Sequence, residues 1–132
     1  MTRNQKYFAV LTILLSLVFF KLLIDDLTIE AYGNLWIYAL IYGIVMFLNG
    51  LYFGYNDPVR ETRHDLGFQY HLITYIIVNV IGINWFIFKF ADSGNAFFWI
   101  VIQCVPWGLG VLLHYYLSLR CIKGMDKEEI FV

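Results

Sequence analysis

"GFQYHLITYIIVNVIGIN", residues 67–84, decides how the rest of the chain is read. Ile, Val, Leu and Tyr make it apolar enough to lie in hydrocarbon, yet His71, Asn79 and Asn84 sit inside it. A polar side chain in a bilayer is costly unless another group satisfies it, so it turns toward protein rather than lipid. The stretch therefore predicts a membrane-crossing helix with a polar face packed against a neighbour.

The remaining sequence agrees with that solvent. Of 132 residues, 61% are hydrophobic and 20% aromatic, while 14% are charged, against ~25% in an ordinary soluble domain. A soluble chain of this size cannot cover so much apolar surface, whereas lipid dissolves it. A net charge of −1 without a clustered basic face argues against nucleic acid as a partner. The chain has no CxxC, Walker loop, GxSxG or HExxH pattern, and with them go the enzyme classes those motifs serve. Cys104 lies in an apolar run and Cys121 in a basic tail, so a disulfide between them is not expected.

Four segments reach the ~20 apolar residues a spanning helix needs: about 7–24, 35–54, 69–88 and 97–118. The first follows Arg3 and Lys6 but runs into "DDLTIEAYGN" rather than a small-residue cleavage site, so it reads as a retained helix. Arg3, Lys6, Arg60, Arg63, Arg120, Lys123 and Lys127 flank one side. Lys21 and Lys89 approach the other, with Asp25, Asp26, Glu30 and Asp92. Seven cations against two predict cytoplasmic termini and a cytoplasmic 55–68 loop. Lys21 is expected to snorkel toward Asp25. Short outer linkers make the helices they join antiparallel neighbours.

The expected fold class is all-α: an integral membrane four-helix bundle made of two antiparallel transmembrane hairpins. Residues 1–54 form the first hairpin, 55–120 the second with its entry segment, and 121–132 a short cytoplasmic tail. "DPVRETRHDL" is expected to run along the membrane surface for a turn or two. "NQKYF" before span one and "GFQYHL" before span three hint at a duplicated hairpin.

Helical spacing puts His71, Tyr75, Val78/Asn79 and Gly82 on one face of span three. Gln103, Trp107, Gly110 and His114 share a face of span four, at offsets 0, 4, 7 and 11. In an antiparallel pair, His71 and His114 come to similar depth and Asn79 comes level with Trp107. Gly82, Gly108 and Gly110 let the backbones approach, and Pro106 removes the amide donor to the Ile102 carbonyl. Mutual hydrogen bonding of Asn79 and the two histidines is the expected answer to the buried polarity, while Asn84 faces away.

These residues resemble the two-transmembrane (2TM) domain family of bacterial membrane proteins. The resemblance covers residues 58–120, about half the chain. It rests on Phe68, His71, Leu72, Tyr75, Val78-Asn79 and Asn84, then Trp99, Trp107-Gly108-Leu109-Gly110 and His114. Pro106 stands where the family usually has Gly. The family occurs alone or fused to signalling proteins such as sensor kinases. The resemblance therefore implies a bacterial inner-membrane module with a sensory, regulatory or interaction role and a cytoplasmic or membrane signalling partner.

The functional expectation is thus a non-enzymatic protein acting through the seam of His71, Tyr75, Asn79, Gln103, Trp107 and His114. Gly82, Gly108 and Gly110 serve helix packing, and Arg60 and Arg63 anchor lipid head groups. No metal site is expected, since two histidines supply too few ligands, and no cofactor is expected. Two alternatives stay open. One is a b-type haem or quinone redox protein using His71 and His114 as haem axial ligands. The other is an oligomeric pore or effector. Four aromatic-rich helices bury little alone, so a homo-oligomer, first of all a dimer, is expected in the lipid bilayer. Tyr38, Tyr42, Met46, Asn49 and Phe53 stripe one face of span two as packing. Thr12 and Ser16 are expected to bond back to their own helix.

Overall fold

A computed structural model describes residues 1–60, 65–90 and 96–128, with side chains as far as Arg120. The described residues form four long helices: α1 (Arg3–Thr28), α2 (Leu35–Tyr55), α3 (Leu66–Phe90) and α4 (Ala96–Glu128). A 3-10 turn, Tyr32–Asn34, leads into α2. All four are long and apolar enough to cross a membrane, α4 over Ala96–Arg120.

Local chemistry starts α1. Thr2 caps it: its hydroxyl accepts from the Gln5 amide, while the Gln5 side chain accepts from the Thr2 amide. This reciprocal pair satisfies two amides that would otherwise be orphaned at the helix start. At the other end Glu30 takes the left-handed conformation, with φ 58°, the position where a helix exit usually places glycine. Lys21 does pair with Asp25, at 2.7 Å.

The buried face of α1 is a single column: Gln5, Phe8, Thr12, Ser16, Phe20, Ile24 and Leu27. Steps of three and four residues keep these on one side of the helix. Two of the seven, Thr12 and Ser16, are small and fully buried, which lets neighbouring backbones come close.

The helices are arranged as a row bent round on itself, α2–α1–α3–α4. α1 and α3 pack along their length, through Gln5 with Gln69, Phe8 with Tyr70 and Phe20 with Phe86. α2 lies on α1, from Asn4 against Asn56, through Phe8 against Phe53, to Ser16 against Tyr42. α4 lies on α3 alone. Among the described residues no Cα of α2 comes within 8 Å of one of α4. Three sides of the square are closed and the fourth is an open cleft.

Two apolar clusters hold the closed sides. Phe20, Ile24, Leu27, Val78 and Phe86 form one; Phe8, Leu66 and Tyr70 form the other. Ser16 bonds outward to the Tyr42 hydroxyl at 2.8 Å instead of back to its own helix. The cross-helix bond wins because Tyr42 also stacks on Phe19, with ring centroids 4.2 Å apart. The stripe Tyr38, Tyr42, Met46, Asn49 and Phe53 is the less exposed side of α2.

Candidate functional site

Where α3 meets α4, side chains cross the interface at three levels. At the first, the Trp107 indole Nε1 donates to His71 Nε2 at 3.2 Å. Indole can only donate, so this imidazole nitrogen is the acceptor and the ring proton sits on Nδ1. His114 stands beside it, the two rings edge to face with centroids 5.3 Å apart. No hydrogen bond joins them. Phe68 flanks His114 from the start of α3, and Gly67 faces the ring: a Cβ there would lie 3.7 Å from His114 Nε2, an ordinary contact.

At the second level the Tyr75 hydroxyl donates to the Cys104 carbonyl at 3.3 Å. Gly108 makes this approach possible, since a Cβ at that position would come 3.0 Å from the tyrosine oxygen. At the third level the Asn79 carbonyl oxygen accepts from Gln103 Nε2 at 3.2 Å and from the Cys104 thiol at 2.9 Å. Its amide donates to the Tyr75 carbonyl of its own helix. Gln103 Nε2 also reaches the Val78 carbonyl, while Gln103 Oε1 is buried without a partner. Gly82 is the point of closest approach. A side chain there would collide with the Gln103 amide and the Phe20 ring, so α1, α3 and α4 converge on it.

All six seam residues thus come together, with shifts from the expected pairing. Asn79 lies level with Gln103, one turn from Trp107, because the helices slide until Gly82 meets Gln103. His71 pairs with Trp107 instead of His114. Gly110 has nothing within 4 Å of its would-be Cβ, so Gly82 and Gly108 relieve the helix contact and Gly110 does not. Asn84 is exposed and bonds back to the Val80 carbonyl, away from the seam as expected. Arg60 lies over the Tyr55 ring at 4.2 Å. Arg63, His64 and the side chains of the tail lie outside the described residues.

A second polar centre has no counterpart in the sequence reading. Asp57, in the turn after α2, is buried. Its Oδ2 accepts from the Thr2 hydroxyl and from the Tyr70 hydroxyl, each at 2.7 Å, and its Oδ1 from the Val59 amide. Gln5 donates to Gln69 at 2.7 Å, and Gln69 to Asp65 at 2.6 Å. This knot ties the α1 cap, the α2 exit and the α3 start together. Two signals for it were present: an Asp-Pro step at Asp57, and the Gln shared by "NQKYF" and "GFQYHL", whose two glutamines bond each other.

The cleft between α2 and α4 opens onto the seam. Its lower part is a cavity of about 640 Å³ lined by Met46, Phe47 and Leu51 on one side, by Trp107 and His114 on the other, and by Tyr70 and His71 beneath. A second cavity of about 320 Å³ continues beyond Trp107, which borders both. Among the described residues no three His, Cys, Asp or Glu side chains gather as metal ligands. Comparison of the chain with protein-family models, curated proteins and solved structures finds no match.

Proposed function

We propose that this chain is a non-enzymatic module of the bacterial inner membrane, built as two antiparallel transmembrane hairpins with both termini in the cytoplasm. It senses or binds through the His71/Trp107/His114 end of the α3–α4 seam, and it self-associates, with a dimer as the simplest assembly. The 2TM resemblance of residues 58–120 supports a signalling or interaction context.

One observation carries this reading. Deeper in the seam Asn79, Gln103 and Cys104 bond one another across the helices, and the unpaired Gln103 Oε1 is shut inside the contact. At the His71/His114 end the two rings do not bond each other, and that end opens into the cleft. A contact that only glued two helices together would close on itself. This one keeps capacity to spare.

Native mass spectrometry from gentle detergent tests the reading. The expected result is a retained molecule or second subunit. It should be lost in the variant carrying His71→Gln and His114→Gln, with the melting temperature of the wild type preserved. A wild-type chain that flies empty and monomeric, indistinguishable from the variant, overturns it.

The haem alternative requires His71 to release Trp107 and the two rings to part around a macrocycle. A Soret band after haem addition would favour it. A pore or effector would instead show liposome flux that depends on Asn79.

A further inference from the structure

Polar groups within a bilayer seek partners, since hydrocarbon offers none. Most of those here find one inside the chain. Three lining the lower cavity of the cleft do not. Neither ring nitrogen of His114 has a hydrogen-bond partner among the described residues. His71 has only its Nε2 engaged, which leaves the Nδ1 proton to give. The Arg60 guanidinium rests on Tyr55, and no carboxylate pairs with it among the described residues.

These groups share a sign. Arginine offers only donors, His71 offers a donor, and His114 offers at least one. Their missing partner is therefore rich in acceptors. They also sit in depth order. Arg60 precedes α3, and His71 comes five residues after Leu66, about 7.5 Å further along the axis. The rest of the cavity is walled by Phe8, Met46, Phe47 and Leu51. A charged acceptor, then neutral acceptors, then hydrocarbon is the order of phosphate, ester carbonyls and acyl chain in a phospholipid.

We propose that the cleft between α2 and α4 is a binding site for one anionic phospholipid, its phosphate at Arg60, its ester carbonyls at His71 and His114, and an acyl chain along the wall of α2. The assignment rests on the membrane module proposed above and names the class of molecule its open end takes.

The length of the cavity favours a lipid over a helix. From Leu66 to Thr74, both of which line it, α3 rises about 12 Å. One leaflet of a bilayer core is about 15 Å deep. A spanning helix needs the full ~30 Å and an interaxial spacing of about 8–10 Å, whereas Trp107 stands between the lower cavity and the one beyond it. Gly50 and Gly54 line the lower cavity, and no atom lies within 4 Å of where a Cβ would project from either. They hold the cleft wide without serving any contact inside the chain.

The test uses the full chain in mild detergent with equal amounts of phosphatidylglycerol and phosphatidylcholine, read by native mass spectrometry. One phosphatidylglycerol per chain is expected to be retained in preference. Arg60→Gln should reduce that preference about fivefold, the value of one interfacial cation. Gly50→Leu should abolish retention while leaving the melting temperature unchanged, because its side chain enters open space. Equal retention of the two lipids, or retention undiminished in Gly50→Leu, overturns the assignment. So does a Gly50→Leu variant that turns a dimer into a monomer yet still carries lipid, since the cleft would then hold a second copy. Glycerol phosphate bound without chains, or a quinone in the retained mass, also overturns it. A non-lipid mass lost with the two histidines would end the lipid assignment and leave the module reading standing.

Discussion

Tyr70 and His71 are neighbours in the chain and opposites in the structure. Tyr70 turns toward α1 and is 5% exposed, its hydroxyl held by Asp57 at 2.7 Å and by the Phe53 carbonyl at 3.2 Å. His71 turns toward α4 and the cleft, half-buried, with one nitrogen engaged and one free. One step of 100° around a helix separates a closed polar knot from an open polar end. Polarity at the start of α3 therefore has two meanings. Where every donor finds its acceptor, the group is a fastener. Where donors exceed acceptors, the group is available to something outside the chain.

The two ends should break differently. Asp57→Ala takes the acceptor from Thr2 and Tyr70 together, and the loss should reach about 3 kcal/mol, read as a lower melting temperature in detergent. If Asp57→Ala melts with the wild type, the knot is not a fastener. Gly82→Val comes next. Its methyls enter the space of Gln103 and Phe20, and overpacking of this kind costs about 1–3 kcal/mol. Asn79→Leu follows, with loss of the bonds to Gln103 and Cys104 worth about 0.6 kcal/mol and at most about 2. A larger loss there would make the seam, and not the knot, the main clasp.

The open end should instead respond to acid. His71 accepts from Trp107, and a protonated imidazole has no acceptor. The bond is therefore present while His71 is neutral and is lost once acid protonates the ring. With Trp36, Trp85 and Trp99 replaced by Phe, Trp107 emission should shift as His71 is protonated on acidification. The same titration of His71→Gln should be flat; an undiminished shift there assigns the effect elsewhere. The smallest expected effect on stability is that of His114→Gln, within about 0.5 kcal/mol, because His114 has no hydrogen bond to lose. A large drop in its melting temperature would turn His114 into a fastener like Tyr70 and remove the contrast.

Much of the fold is legible from residue order. Each of the four apolar runs becomes a helix, the form in which a segment of that length and composition satisfies its backbone from within. Helical spacing also brings Asn79, Gln103, Trp107 and His71 onto facing sides of α3 and α4. Register is a different matter. Asn79 meets Gln103 and not Trp107 because shape decides where two helices stop sliding, and Gly82 is the notch that fits Gln103. Gly110 differs from its expected role for the same reason: its spacing matches the contact face, but nothing lies within 4 Å of where its Cβ would project. The Asp57 knot needs Thr2, Gln5 and Gln69 brought to it from 52 or more positions before or 12 after, and periodicity within one helix carries no trace of such a meeting.

By itself, the sequence determined that the chain has four bilayer-length helices and which side chains on α3 and α4 are polar, since solvent preference and the 3.6-residue turn act locally. The tertiary structure alone decided that α1 and α3 form the centre, that α2 and α4 stay apart, and that Tyr70 is closed while His71 is open. Those outcomes depend on steric fit between distant surfaces, such as Gly82 against Gln103 and Phe20, which no local pattern encodes.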